Sequence, residues 1–90
     1  MSFDWDRQKA EANFAKHGIR FEDAVGALLD ERAVTIPDDD PDEERSVTVG
    51  MDVLGRLVVV VYTWRGETIR LISARKATRT EEQWYTARKL

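Results

Sequence analysis

Apolar side chains in the first thirty residues recur at the spacing of α-helices. Residues 7–16 are good helix formers, with Asp4 or Asp6 placed to cap the start and Gly18 placed just beyond the end. From residue 21 to about residue 30, apolar positions follow the spacing i, i+3, i+4, i+7 and i+8, which is the buried stripe of a short amphipathic helix. The pattern therefore predicts two helices at the start of the chain.

The period of the pattern changes to that of β-strands after residue 30. Polar and apolar side chains alternate between residues 45 and 51, as they do in a half-buried strand. The apolar run that begins at Leu57 contains four consecutive valines, which is typical of a central strand covered on both faces. We expect four strands in all, at residues 33–36, 45–51, 57–64 and 68–74.

The spacing of threonine and glutamate near the end of the chain predicts a closing helix. Thr78 and Glu81 fit a capping box, as do Thr80 and Gln83, and either pair would open a helix that runs to about residue 89. Short loops favour an antiparallel meander with the helices gathered on one face. The predicted fold class is α+β, with two N-terminal helices, a four-stranded antiparallel sheet and a C-terminal helix in a single domain spanning residues 1–90.

Composition excludes several classes of protein. The 90 residues suffice for one domain, and a hydrophobic content of 42% is enough to form a core. The absence of cysteine excludes a disulfide framework, a thiolate nucleophile and a cysteine zinc site, and a single histidine excludes a histidine-rich metal site. No apolar run is long enough to cross a bilayer, and the acidic start lacks the pattern of a secretory signal. We expect a cytoplasmic domain that uses no metal, cofactor or membrane.

The net charge of −3 conceals two parts of opposite sign. Residues 1–55 carry 6 basic and 14 acidic side chains, whereas residues 56–90 carry 8 basic and 3 acidic ones. The most acidic stretch, residues 38–44, is interpreted as a solvated loop or as a docking surface for a basic partner. Arginine provides 10 of the 14 basic residues, and its planar fork of donors suits phosphate. Local anion binding and the uneven charge common in short proteins both fit this pattern.

Arginines cluster on and around the last predicted hairpin, with Arg65 at its tip. Strict alternation divides the last strand into two faces: Thr68, Arg70, Ile72 and Ala74 on one, and Ile69, Leu71 and Ser73, followed by Arg75, on the other. Three further basic residues are close enough in the predicted fold to join them: Arg45, Lys76 and Arg79. With the amide donors of the closing helix they would form a phosphate cradle at one edge of the sheet, although a surface strand also tolerates a single arginine without any function.

Three side chains are candidates for moving protons: His17, Glu81 and Tyr85. Histidine ordinarily exchanges its proton near neutral pH, but His17 and the neighbouring Lys16 also suit the negative end of a helix dipole. Glu81 and Tyr85 share one face of the closing helix. There Glu81 could instead orient an arginine, and Tyr85 could stack on a base or anchor the helix to the sheet.

Several motifs resemble those of the BrnT-type toxins. The opening is similar in three pieces: Phe3-x-Trp5-Asp6-x-x-Lys9, Asn13-x-x-Lys16-His17-Gly18 and Phe21-Glu22-x-Ala24. The middle strand is similar in Glu44-Arg45 followed by Gly50. The most specific piece is the closing signature, Arg70-x-Ile72-Ser73-Ala74-Arg75-x-Ala77-x-x-x-Glu81-x-x-x-Tyr85. The resemblance covers nearly the whole chain.

This resemblance implies a ribonuclease toxin of a type II toxin–antitoxin system, with a RelE-like fold. The implied partners are an RNA substrate and a BrnA-type antitoxin with a ribbon-helix-helix part, so that DNA is reached only through the antitoxin. The implied reaction is metal-independent RNA cleavage, in which the 2′-hydroxyl of the substrate attacks the adjacent phosphorus. We expect catalytic roles for Arg65, Arg70, Arg75, Glu81, Tyr85 and His17, and RNA binding by Arg45, Lys76, Arg79 and Lys16.

A non-enzymatic function is the alternative. The acidic first half of the chain would suit a binding module that acts as a co-repressor through a DNA-binding partner. Direct DNA binding is disfavoured by the net charge of −3 and by the lack of a recognition-helix pattern. A test for RNA turnover separates an enzyme from a binding module.

Overall fold

The computed structural model describes residues 1–38 and 44–87. Its elements in chain order are β1 (Ser2–Asp4), α1 (Arg7–His17), α2 (Phe21–Leu28), β2 (Val34–Asp38), β3 (Arg45–Met51), β4 (Leu57–Arg65), β5 (Thr68–Lys76) and α3 (Arg79–Ala87). The α+β class is confirmed, and all the predicted helices and strands form with ends that differ by up to two residues. Most of the acidic run, residues 39–43, and the predicted helix end near residue 89 lie outside the described residues.

Individual side chains set the ends of the helices. Asp6, not Asp4, caps α1, because its Oδ1 accepts a hydrogen bond of 3.1 Å from the amide of Lys9. Gly18 ends the same helix in the left-handed region, with a φ of 73°. At α3 the first of the two predicted capping boxes forms, since the amide of Thr78 donates to Glu81 Oε1 at 2.8 Å and the amide of Glu81 donates to Thr78 Oγ1 at 3.3 Å.

Within residues 1–38 and 44–87 the sheet has five strands in the order β1-β5-β4-β3-β2, so the prediction of a four-stranded antiparallel sheet is wrong. The four predicted strands do form an antiparallel meander. The additional strand, β1, pairs in parallel with the outer edge of β5 and brings Asp4 opposite Arg70. Three residues are too few to show an alternating pattern, so the sequence carries no signal of this strand.

The hydrophobic core lies between the sheet and the first two helices. Its buried side chains are Ile19, Phe21, Ala24 and Ala27 from the helical layer and Val58, Val60, Tyr62, Ile69, Leu71 and Ala74 from the sheet. The helix α2 approaches β3 very closely, because a Cβ atom on Gly50 would lie 2.6 Å from the carbonyl oxygen of Ala27. This contact fixes the position of the helical layer over the sheet.

A β-bulge in β5 changes which side chains share a face. Ser73 pairs with Val61 and Leu71 pairs with Tyr62, so Ile72 is an extra residue in the ladder. Strict alternation would place Arg70 and Arg75 on opposite faces. The bulge instead brings both arginines to the face opposite the core, and the alternation expected across the whole strand is wrong beyond residue 71.

We call the face opposite the core the open face; its side chains include Arg45, Val47, Val61, Thr63, Arg65, Arg70, Ser73 and Arg75. Helix α3 contacts β3 and covers one end of the same face, where Val49 and Val59 are buried. The expectation that all helices lie on one face is therefore wrong for α3. The end of the face near the β4–β5 hairpin has no helix over it among the described residues. No helix in residues 1–38 or 44–87 is long and apolar enough to cross a membrane.

Candidate active site

Arginines from two strands face each other across the open face. Arg70 of β5 is the cross-strand partner of Thr63 in β4. Arg45 of β3 lies on the other side of Thr63, one residue beyond the pair formed by Ser46 and Tyr62. The hydroxyl of Thr63 donates a 2.9 Å hydrogen bond to the carbonyl of the residue before Arg45. The register of three strands therefore brings the two arginines together, although 25 residues separate them in sequence.

These arginines line a polar cleft of about 170 Å³ at the hairpin end of the sheet. The other basic side chains on its wall are Arg65, from the end of β4, and Lys9, from α1. Arg70 pairs with Asp4 at 3.3 Å, and Arg45 pairs with Asp38 at 2.7 Å. We call this the arginine cleft. Its four cations provide donors for an anion of the size of a phosphate group.

A second cleft of about 230 Å³ continues from the arginine cleft along the edge of β5. It shares Lys9 and Ile72 with the first cleft and adds Lys16, half-buried His17 and Ser73. The predicted residues Lys16 and His17 thus lie beside the arginines and not only at a helix end. We call it the histidine cleft.

Asn13 holds α1 against β5 at this position. Among the described residues, no strand pairs with the outer edge of β5 beyond β1, and the Asn13 side chain takes the place of one. Its Nδ2 donates to the carbonyl of Ala74 at 2.9 Å, and the amide of Ala74 donates to its Oδ1 at 3.0 Å. The same Nδ2 donates to the carbonyl of Ile19 at 3.0 Å. Sequence reasoning missed Asn13, whose only signal is its place in the Asn13-x-x-Lys16-His17-Gly18 motif.

Arg75 and Glu81 form an ion pair at the other end of the open face, under α3. Both terminal nitrogens of Arg75 donate to the Glu81 carboxylate at 2.8 Å. These hydrogen bonds and that from the amide of Thr78 hold the pKa of Glu81 at about 2, despite its partial burial. Glu81 is therefore ionised at neutral pH and orients Arg75.

Tyr85 lies away from both clefts. Its hydroxyl donates to Asp30 Oδ2 at 2.7 Å, and the same oxygen accepts from the amide of Met51 at 2.9 Å. The hydrogen bond to Asp30 raises the pKa of Tyr85. In this structure Tyr85 therefore anchors α3 to the end of the sheet.

The remaining predicted residues lie outside the clefts. Lys76 is exposed and follows Arg75 on the side of the sheet that faces the core. Arg79 is exposed at the first residue of α3. The predicted basic residues therefore do not all meet at one edge of the sheet, and the two clefts are lined by residues of three strands and α1. Within residues 1–38 and 44–87, no three histidine, aspartate or glutamate side chains come together as a group that could hold a metal ion.

Comparisons with known proteins identify the family of the chain. The family model described as "Ribonuclease toxin, BrnT, of type II toxin-antitoxin system" matches residues 5–81. The crystal structure of the Brucella abortus ribonuclease toxin BrnT is similar with a TM-score of 0.70 and 29% sequence identity, over 88% of this chain and 99% of that chain. The comparison with curated proteins gives no significant match. The resemblance of the sequence motifs is thus confirmed, and the chain belongs to the BrnT family of ribonuclease toxins of type II toxin–antitoxin systems.

Proposed function

We propose that this BrnT-family toxin cleaves RNA on the open face of its sheet and needs no metal ion for the reaction. One observation carries the proposal: the arginine cleft and the histidine cleft adjoin, with Lys9 and Ile72 in the wall of both. A surface that combines phosphate-binding cations with an imidazole has what cleavage by the 2′-hydroxyl requires. Such a reaction would take place in the cytoplasm, where messenger RNA is translated.

The proposed reaction balances without a cofactor. A base takes the proton of the 2′-hydroxyl, and the freed oxygen bonds to the adjacent phosphorus. The bond from phosphorus to the 5′-oxygen of the next nucleotide then breaks, and an acid protonates that oxygen. The products are a 2′,3′-cyclic phosphate and a 5′-hydroxyl end. Arg45, Arg65 and Arg70 would bind the scissile phosphate and stabilise the charge that builds on its oxygens.

His17 is the best placed of the three candidates for proton transfer. Glu81, with a pKa of about 2, is too weak a base at neutral pH, and the raised pKa of Tyr85 keeps its proton on the hydroxyl that donates to Asp30. His17 instead lies half-buried in a cleft beside the arginines. We assign proton transfer to His17 and the orientation of Arg75 to Glu81.

The flanking cations would bind neighbouring phosphates of the RNA strand. Lys16 lies in the histidine cleft, and Arg75 follows Ser73 along the open face. Strand residues on one face recur about every 7 Å, which is similar to the spacing of phosphates along an extended single strand. Lys76 and Arg79 lie farther out, where they would contribute to attraction of the RNA rather than to the reaction.

The proposal is tested by incubating the purified chain with a short RNA, with and without EDTA. We expect cleavage in both cases, products that end in a 2′,3′-cyclic phosphate, and no cleavage beside a 2′-deoxy nucleotide. Arg70→Ala is expected to reduce the rate constant by about 10²–10³-fold, by analogy with the loss of one donor to a developing oxyanion. His17→Ala and Arg75→Ala are expected to reduce it as well.

Arg32→Ala is the matched control, because Arg32 is exposed and lies outside both clefts. It should cleave at the wild-type rate. Cleavage by folded Arg70→Ala and His17→Ala at the rate of Arg32→Ala would refute the placement of the site. Intact RNA at every concentration of the wild-type chain would instead favour the non-enzymatic co-repressor.

We further propose that the neutralising partner is a BrnA-type antitoxin, which carries the contacts with DNA. The family description supports a type II antitoxin, and such antitoxins are proteins. The net charge of −3 supports the view that this chain meets DNA only through that partner. Expression of the chain alone should arrest growth, and co-expression of the antitoxin should relieve the arrest.

A further inference from the structure

We propose that Asp4 and Asp38 are positioning residues that direct Arg70 and Arg45 toward a single phosphate group of the RNA. The inference rests on the proposed function, because it concerns the same arginine cleft. Neither aspartate is suggested by the arginine pattern of the sequence, since one lies in the unpredicted strand β1 and the other at the end of β2.

The five strands place one side chain each in a row across the open face: Asp4, Arg70, Thr63, Arg45 and Asp38. The row is symmetric about Thr63, with an arginine on each side and an aspartate beyond each arginine. Neighbouring strands are about 4.8 Å apart, so the backbones that carry the two arginines are separated by roughly 10 Å. Two extended guanidinium groups can close on one phosphate within that gap.

The contact between Asp4 and Arg70 uses only part of the hydrogen-bonding capacity of the arginine. Asp4 Oδ1 accepts a hydrogen bond of 3.3 Å from Nη1 of Arg70. Asp38 contacts Nη2 of Arg45 at 2.7 Å. Whereas Asp4 contacts one terminal nitrogen of Arg70, Glu81 engages both terminal nitrogens of Arg75 and leaves fewer donors of that side chain for RNA. A guanidinium group has five N–H donors, so a carboxylate at one nitrogen of Arg70 fixes its direction and leaves donors for a phosphate.

Folding stability does not account for the Asp4–Arg70 pair, which is the more exposed of the two. Arg70 and Asp4 have side chains that are 32% and 50% exposed, and those of Arg45 and Asp38 are 27% and 30% exposed. The Asp4–Arg70 pair, with a half-exposed carboxylate, contributes little to stability, because solvent screens the attraction. Orientation of the arginines explains why a carboxylate lies beyond each of them in the row.

The test separates position from charge by a split between kcat and KM. Asp4→Asn and Asp38→Asn each remove one negative charge from the cleft, so RNA should bind at least as tightly and KM should stay the same or fall. If the arginines lose their orientation, kcat should fall by about tenfold or more, similar to the loss of a partner that orients a metal ligand. Glu11→Gln is the matched control, since Glu11 pairs with Arg7 at 3.4 Å on the exposed side of α1. It should change neither constant.

Asp4→Glu and Asp38→Glu provide a second set of variants that keep the charge and move the carboxylate by one methylene group. These should lower kcat at an unchanged KM. A fall in KM with an unchanged kcat in the asparagine variants would show that the aspartates act only through their charge and would overturn the proposal. Unchanged constants in all four variants would overturn it as well.

A measurement independent of activity distinguishes failure of this inference from failure of the proposed function. In ¹⁵N NMR spectra of the arginine side chains, rotation of the Arg70 guanidinium should be hindered in the wild type and faster in Asp4→Asn. Equal rotation in both would overturn the positioning role even if the protein cleaves RNA. Hindered rotation in a wild-type protein that leaves RNA intact would refute the proposed function while the orientation of Arg70 by Asp4 still holds.

Discussion

Replacement of Asn13 by alanine is expected to lower the free energy of unfolding by at least about 2 kcal/mol, because three buried backbone groups lose their partner. The groups are the amide and carbonyl of Ala74 and the carbonyl of Ile19, which bond to the Asn13 side chain at 2.9–3.0 Å. Asn13 is only 7% exposed. Water therefore has little access to these groups until the carboxamide is removed.

The magnitude follows from two opposing effects. A buried backbone group left without a partner costs about 1–3 kcal/mol, and the lower value applies here because water can enter the space of the deleted carboxamide. Three such groups cost at least about 3 kcal/mol, while the better helix propensity of alanine in α1 returns up to about 0.7 kcal/mol. A domain of this size has a stability of roughly 5–14 kcal/mol, so the net loss is a substantial fraction. The midpoint of thermal unfolding should fall by about 8–16 °C.

Urea denaturation followed by circular dichroism measures the effect. Gln8→Ala removes an exposed amide from the same helix and should change the free energy of unfolding by no more than about 0.5 kcal/mol. The urea dependence of both variants should match that of the wild type, since the surface exposed on unfolding hardly changes. A loss for Asn13→Ala that equals the loss for Gln8→Ala would refute the view that the Asn13 amide closes the edge of β5.

Two further predictions concern the packing of α3 and of α2. Glu81→Gln should be less stable than the wild type at neutral pH, and the difference should shrink between pH 4.5 and 2. Pairing with Arg75 stabilises ionised Glu81 and lowers its pKa to about 2, so protonation of Glu81 removes this stabilisation. A difference that stays constant over this pH range in thermal unfolding experiments would contradict the prediction. Gly50→Ala should lower the free energy of unfolding by about 1–3 kcal/mol, because the new Cβ would lie 2.6 Å from the carbonyl oxygen of Ala27. An unchanged unfolding midpoint would show that α2 can move away from β3 freely.

Local patterns predicted most of the fold because they report on burial. The apolar stripe that begins at Phe21 and alternate valines of β4 are hydrophobic because they face the core, and the structure buries them in it. Gly18 and Thr78 mark helix ends through contacts with near neighbours in sequence. Features set by contacts of short range were therefore visible in the sequence.

The features that were missed depend on pairing between distant segments. Strand β1 is three residues long and owes its place to β5, more than sixty residues later. The bulge at Ile72 leaves no trace in the composition of β5, since Arg75 and Ser73 fit either face. Without the bulge, Arg70 and Arg75 would have been assigned to opposite sides of the sheet.

The candidate site shows the same division. Arg70 is visible in the sequence because a charged side chain in the middle of a strand is unusual, and Arg65 because it lies at the predicted hairpin tip. Lys9 and Asp4 gave no such signal, because lysine and aspartate are ordinary on an exposed helix or near a chain end. The structure adds them by register and by the position of α1, so the sequence indicated the chemistry of the site but not its boundary.

The outer edge of β5 connects the fold with the proposed reaction. The first half of this edge is paired with β1, which carries Asp4 to Arg70, and the second half is closed by Asn13, which holds α1 and therefore His17 beside Ser73. An open edge would invite pairing with another chain, and here it is covered by the elements that complete the two clefts. A change that loosens either cover should then reduce cleavage without touching an arginine. That dependence would explain why the N-terminal motifs accompany the closing signature in a chain of this family.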